Sequence, residues 1–241
     1  MAKHVLCALL FALTLTRPAL ADDATPVVLA GVDAYNRGDI ATAFRLLSTE
    51  AASGNSDAQV NLGYMYARGQ GTAPNQAEAL RLYRLSAEKG NGEGMNAVGY
   101  KYQFGTGVAP DIGTAIDWYC RAVAQGNPRA LNNLAILLDD GNGVARDVPQ
   151  ARDLWRQAAE RGNTNSALNL GISLAASGDT SDALAWLRRA AQAGQPAAQR
   201  ILRDNGYKVA FPPPFDPTAM MIIQPKGQPA GHARICGAPT S

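Results

Sequence analysis

Apolar positions recur along the chain in pairs one helical turn apart: Ala43 with Leu47, Ala79 with Tyr83, Ala115 with Tyr119, Ala151 with Trp155, and Ala183 with Leu187. A spacing of four puts both members on one helix face, the alanine where a neighbouring helix must approach closely and the large group beside it. Four residues before each alanine stands Asp39, Asn75, Asp111, Asp147 or Asp179, whose side chain can accept an orphan N–H at a helix start. Asn75 with Glu78, and Asp147 with Gln150, read as reciprocal capping boxes. Seven residues beyond each large group lies a glycine, Gly54, Gly90, Gly126, Gly162 or Gly194, suited to a helix C-terminus. The first four glycines are 36 residues apart, the fifth follows after 32, and each of the first four is followed by Asn.

Upstream of each bounded helix lies a second periodic segment. It reads Ala58, Leu62-Gly63 and Tyr66, then Gly94, Val98-Gly99 and Tyr102, then Ala130, Leu134-Ala135 and Leu138, then Ser166, Leu170-Gly171 and Leu174. Three units join their helices through Gly69-Gln70-Gly71, Gly105-Thr106-Gly107 and Gly141-Asn142-Gly143. Phosphate-binding loops need a preceding strand and a following Lys with Ser or Thr, which these lack, so their recurrence assigns them as turns with positive backbone angles. A fixed period of this length predicts an all-α solenoid of about five antiparallel helix pairs, since so short a pair cannot bury its stripe without neighbours. The expected units are 26–54, 58–90, 94–126, 130–162 and 166–194, with a capping helix at 197–205.

The two ends read differently. Lys3, the apolar run Val5 to Leu15 and the small-residue site Ala19-Leu20-Ala21 form a secretory signal over residues 1–21, so the mature chain is expected from Asp22, in the periplasm or secreted. That run is too short to span a bilayer, no membrane span is expected elsewhere, and Cys7 is not placed for lipid attachment. Loss of Lys3 and Arg17 takes the 22 basic residues to 20, against 20 acids, a balance that disfavours nucleic acid. From 206 to 241 the repeat signal ends in an extended tail holding half of the 14 prolines, with Phe211, Phe215 and Met220 to Ile223 too apolar for free solvation.

Ala115, Trp118, Tyr119 and the Gly107-Val108 turn, with the recurring Ala, Leu-Gly and Tyr positions, resemble the Sel-one-like repeat family, which is tetratricopeptide-like. The resemblance covers residues 58 to 194, with degenerate ends. It implies a right-handed stack of helix pairs that offers a groove to a protein or peptide partner, often in bacterial envelopes. In related tetratricopeptide modules an asparagine just before the Leu-Gly pair lines the concave face, which implies that role for Asn61, Asn133 and Asn169; Ala97 is the exception, with Asn96 beside it. Tyr64 and Tyr100, with Arg68 and Phe104 one turn on, are residue types that dominate binding energy. The asparagines could instead hydrogen-bond loops of adjacent units, since an amide fits both roles.

Candidate chemistry is sparse. Ser86 and Lys89 fit a Ser-x-x-Lys pattern, and a cysteine-rich branch of the resembled family has been linked to penicillin recognition. This chain lacks that branch's cysteine pairs and the companion motifs, so a weak cell-wall hydrolase or penicillin-recognising enzyme is the secondary reading. Asp139-Asp140 are helical neighbours that diverge by about 100°. His232 is the one histidine left after cleavage, and no metal-ligand spacing exists, so no catalytic residue, metal or cofactor is expected. Cys120 occupies a slot held elsewhere by Arg84, Arg156 and Arg188, an outward position where a thiol has no packing purpose. A disulfide to Cys236 is expected in an oxidising compartment, the alternative being two unpaired thiols.

Overall fold

The computed structural model describes residues 25–206 and 234–236. The expected export signal and most of the proline-rich tail lie outside them. Regular structure among the described residues is entirely helical. Five antiparallel pairs follow one another: α1 (Pro26–Asn36) with α2 (Ile40–Ala52), α3 (Ser56–Arg68) with α4 (Gln76–Glu88), α5 (Gly92–Phe104) with α6 (Ile112–Ala124), α7 (Pro128–Asp140) with α8 (Val148–Glu160), and α9 (Thr164–Ala176) with α10 (Thr180–Gln192). Helix α11 (Pro196–Asp204) covers the last pair, and a 3₁₀ turn at Arg234–Cys236 lies against α6. Each helix packs on the next, and α5 also touches both α3 and α7, so first helices line up beside one another. No described helix is long and apolar enough to cross a membrane.

The pairs close through the positions that the pattern marked. Ala43, Leu47, Ala79, Tyr83, Ala115, Tyr119, Ala151, Trp155, Ala183 and Leu187 are all buried. Opposite each large group stands a small residue of the preceding helix. A Cβ on Gly63 would lie 2.5 Å from Tyr83 Cε1, and one on Gly99 2.7 Å from Tyr119 Cδ1. The fourth pair instead buries Ala135 with Trp155, and Gly171 again meets Leu187, at 2.8 Å. Each such side chain taken from water contributes about 1.5–3 kcal/mol, and contact this close needs the small partner.

Helix ends repeat as strictly as the core. After α2 the Gly54 N–H donates to Ala51 O and the Asn55 N–H to Glu50 O, a Schellman closure repeated at Gly90-Asn91, Gly126-Asn127, Gly162-Asn163 and Gly194-Gln195. The asparagine that ends one unit also begins the next: Asn55, Asn91, Asn127 and Asn163 accept N–H groups of α3, α5, α7 and α9 through their side chains. For this reason these helices start two residues before the Ala58, Gly94, Ala130 and Ser166 boundaries expected from the apolar pattern.

Two expectations about the second helices are corrected. Asn75 and Asp147 do cap α4 and α8, but no capping box closes, because their own N–H groups donate to Tyr66 O at 2.8 Å and Leu138 O at 3.0 Å. Glu78 turns instead to Arg81, at 2.6 Å. Asp179 stands at the N-cap of α10 without a side-chain cap bond, its carboxylate taken by Ser177 Oγ at 2.8 Å.

Candidate functional site

Side chains of α3, α5 and α7 line a groove of about 1000 Å³, bounded at its far end by residues 162–165 and 193–196. Tyr64 and Arg68 come from α3, Asn96, Tyr100 and Lys101 from α5, and Arg129, Asn132 and Asn133 from α7, while Gln76 and Tyr83 form part of the floor. Tyr100 and Phe104 are one turn apart on α5, 49% and 56% exposed, with ring centroids 4.5 Å apart. Lys101 lies between them in sequence but is only 5% exposed; its Nζ donates to Gln76 Oε1 at 2.5 Å and sits 5.8 Å from the centre of the Tyr83 ring. Burial holds the Lys101 ammonium below its ordinary pKa.

Beneath the groove lies a buried carboxylate with three donors from three helices or caps. Glu93 accepts from Tyr64 Oη at 2.8 Å, from Asn127 Nδ2 at 2.9 Å and from Arg129 Nη1 at 3.1 Å. Burial, and then the Glu93 charge, push the Tyr64 phenol well above its usual range, so it stays a donor. A buried charge is tolerable with this degree of pairing.

Amides stitch the units together in two parallel rows. In the first, the capping residues reach back with their free NH₂: Asn91 to Asp57 Oδ1 at 2.7 Å, Asn127 to Glu93, and Gln195 to Asn165 Oδ1 at 2.9 Å. In the second, Asn133 donates to Asn96 Oδ1 at 2.9 Å and Asn169 to Asn132 Oδ1 at 3.2 Å.

These rows decide where the expected site residues fall. Tyr64, Arg68, Asn96, Tyr100 and Asn133 all line the groove, and Phe104 stacks on Tyr100. Asn61 does not: it is fully buried, with its amide donating to Asp57 O of its own helix at 2.9 Å, so a role in lining the concave face is corrected to an internal one. Asn169 lines a separate hollow of about 480 Å³ with Asp139, Asp140, Arg152 and Trp155. Asn133 and Asn169 therefore each join a unit to the preceding one, helix to helix and not to a loop, and Asn133 does so while also lining the groove. Sequence reasoning passed over Lys101 and Arg129. Lys101 had a legible signal, because its register slot holds Met65 and Leu137 in neighbouring units, both buried.

Cys120 and Cys236 lie in disulfide geometry with Cα atoms 5.4 Å apart and 116 residues of separation, which sets the 3₁₀ turn on α6. Ser86 is fully buried, donating from Oγ to Ser56 O at 2.9 Å, and the Lys89 ammonium donates to Gly54 O. The Ser86 hydroxyl is thus bound to the start of α3 in its own pair and Lys89 to the end of the preceding unit, and the packing of α3 on α4 encloses the hydroxyl.

Comparison with known proteins accords with this geometry. A family model described as the Sel1 repeat matches residues 56–91, 92–127, 128–163 and 167–195, and the first three windows open just after the capping asparagines. Among solved structures, a Sel1 repeat protein from Oxalobacter formigenes is 30% identical, covering 73% of this chain and 74% of its own, with a TM-score of 0.65. Two immunity proteins from Pseudomonas aeruginosa share the fold at 19% and 20% identity, each with a TM-score of 0.55; the alignments cover 69% and 77% of this chain and 67% and 75% of theirs. Comparison with the curated proteins finds no match. With four consecutive repeats of that type, the chain belongs to the Sel1 repeat family of helical protein-interaction scaffolds.

Proposed function

We propose that this protein is an exported scaffold, working in the periplasm or outside the cell, that holds a peptide segment of a partner protein in the groove between α3, α5 and α7. The observation that carries the reading is the exposed Tyr100–Phe104 pair at the edge of a groove of about 1000 Å³. Paired aromatic side chains left in water on a well-packed helix are costly unless a partner covers them, and such side chains anchor interfaces. Folding does not need them there, since the core-facing side of α5 is already served by Val98 and Gly99. The signal-like N-terminus supports the location.

The test is site-specific capture. A photoreactive residue at position 100 should crosslink one defined partner in the producing cells, whereas the same residue at the exposed Asp117 on α6 should not. Tyr100→Ala with Phe104→Ala should abolish capture by a crosslinker at the exposed groove position 165 with the circular dichroism spectrum unchanged. Equal capture from positions 100 and 117 would refute the groove as the binding face.

A further inference from the structure

The charge of the groove points to what it takes. Among the described residues three cations line it, Arg68, Lys101 and Arg129, and no Asp or Glu does. Only Arg129 is neutralised, by Glu93 at 3.1 Å. Arg68 is exposed and, like Lys101, has no carboxylate partner among the described residues. Lys101 is the unusual one. A lysine normally keeps its ammonium in water by extending its stem, yet this one is held 5% exposed in a slot where Met65 and Leu137 pack, with a neutral amide and an aromatic ring as its company. An ammonium kept this far from water without a counter-ion weakens the fold, so its position is explained by a ligand that supplies the missing charge.

We infer that the groove recognises an acidic peptide segment, with a Glu or Asp side chain of the partner meeting Lys101 and Arg68 and an adjacent apolar residue covering Tyr100 and Phe104. This rests on the groove reading above and adds the chemical class of the partner. The chain's own tail is a poor occupant by charge, because residues 207–233 carry Lys208 and Lys226 against the single acid Asp216. A carboxylate entering the groove restores the favourable environment that burial takes from the ammonium, and in that partly desolvated setting the pair is worth more than on an open surface.

Fluorescein-labelled, C-terminally amidated peptide pools of about ten residues, randomised around a fixed Leu-Glu-Glu-Leu centre, provide the probe. Matched pools carry Leu-Gln-Gln-Leu and Leu-Lys-Lys-Leu, and a fourth carries the Gln centre with a free C-terminus. By fluorescence anisotropy on the full-length protein, the acidic pool should bind about tenfold more tightly than the Gln pool, with the difference shrinking as salt rises. Lys101→Met, which keeps an unbranched apolar stem, and Arg68→Gln, at an exposed position that cannot unfold the core, should each reduce that preference without lowering the melting temperature. Equal binding of acidic and neutral pools, binding of none, or a preference untouched in both variants overturns the inference. So does binding of the free-carboxylate pool alone, which would assign the cations to a chain terminus, or a dimer dissolved by Lys101→Met, which would seat a second copy there. If acidic and Gln pools bind alike and both weaken in the Tyr100→Ala, Phe104→Ala variant, the charge inference falls while the groove reading stands. Binding unaffected by that aromatic variant removes the groove reading itself.

Discussion

Asn127 reaches back across a unit boundary to Glu93, donating from Nδ2 to Oε2 at 2.9 Å, while its Oδ1 caps α7 and its own N–H closes the preceding turn on Ala122 O. One residue thereby ends a helix, starts the next and ties two units, which explains how helices of 13 residues hold a fixed relative position.

Separating these duties gives the first expectation. Asn127→Ala loses the cap, worth about 1 kcal/mol, and leaves a buried carboxylate short of a donor, worth about 1–3 kcal/mol more. Asn127→Ser keeps the cap and loses only the reach to Glu93, so its cost should be smaller than that of the alanine variant yet clearly above zero. Urea denaturation followed by circular dichroism measures both. A serine variant as stable as the parent would mean that the contact with Glu93 contributes nothing.

Close approach within a pair is tested at Gly99. Gly99→Ala forces a Cβ to within 2.7 Å of Tyr119 and 3.1 Å of Ala115 O, and overpacking of this kind costs about 1–3 kcal/mol. Ala135→Gly, at the matching slot of the next unit, loses a buried methyl together with helix propensity and should cost about 1–2 kcal/mol. A Gly99→Ala variant as stable as the parent, or more so, in thermal melts would show that the space at Gly99 is not limiting.

Alkaline pH should unfold the protein through its buried phenols. Burial is the leading cause that raises the pKa of Tyr64, Tyr83 and Tyr119, and the Tyr119 hydroxyl donates to Gln103 Oε1 at 2.6 Å. An unfolded tyrosine ionises near pH 10, whereas these three keep their protons in the fold. The folded state then binds more protons than the unfolded one above about pH 10, so their contribution is complete below that value and is lost as pH rises past it. Absorbance at alkaline pH should find Tyr64, Tyr83 and Tyr119 ionising together with the loss of helix. Tyr119→Phe should flatten the decline; an unchanged slope would acquit that residue.

Export and the tail strap are linked. The mature protein should begin at Asp22, and thiol titration of the denatured, unreduced envelope form should find neither Cys120 nor Cys236 free. Closing a loop of 116 residues stabilises by roughly 4–5 kcal/mol in the chain-entropy account, so Cys120→Ser should lower the melting temperature in oxidised material and leave reduced material unaffected. Two free thiols in exported protein would dispose of the strap.

The helix pairs, their order and their packing stripes were legible because each is written in local spacing: Ala115 and Tyr119 are one turn apart, and Asp111 caps the helix that carries them. The apolar pattern does not mark the starts of the first helices, which lie two residues earlier, because Asn55, Asn91 and Asn127 follow a glycine in sequence while their side chains cap the next helix. The capping boxes failed because a backbone N–H of Asn75 had a better acceptor in Tyr66 O, a residue nine positions away that local spacing does not bring to mind.

Periodicity by itself determined the architecture, since a repeating apolar stripe on short helices can be buried only by stacking copies of the same pair. The functional surface was decided by tertiary structure. Asn61 and Asn133 share a register, but α3 buries the first while α7 turns the second to Asn96 at the groove wall. Lys101 likewise gains its meaning from Gln76 and Tyr83 on another helix. Exposure, counter-charge and the availability of a donor depend on what neighbouring units place opposite a residue, and that opposition is set by stacking across some 36 residues rather than by the turn of helix the residue occupies.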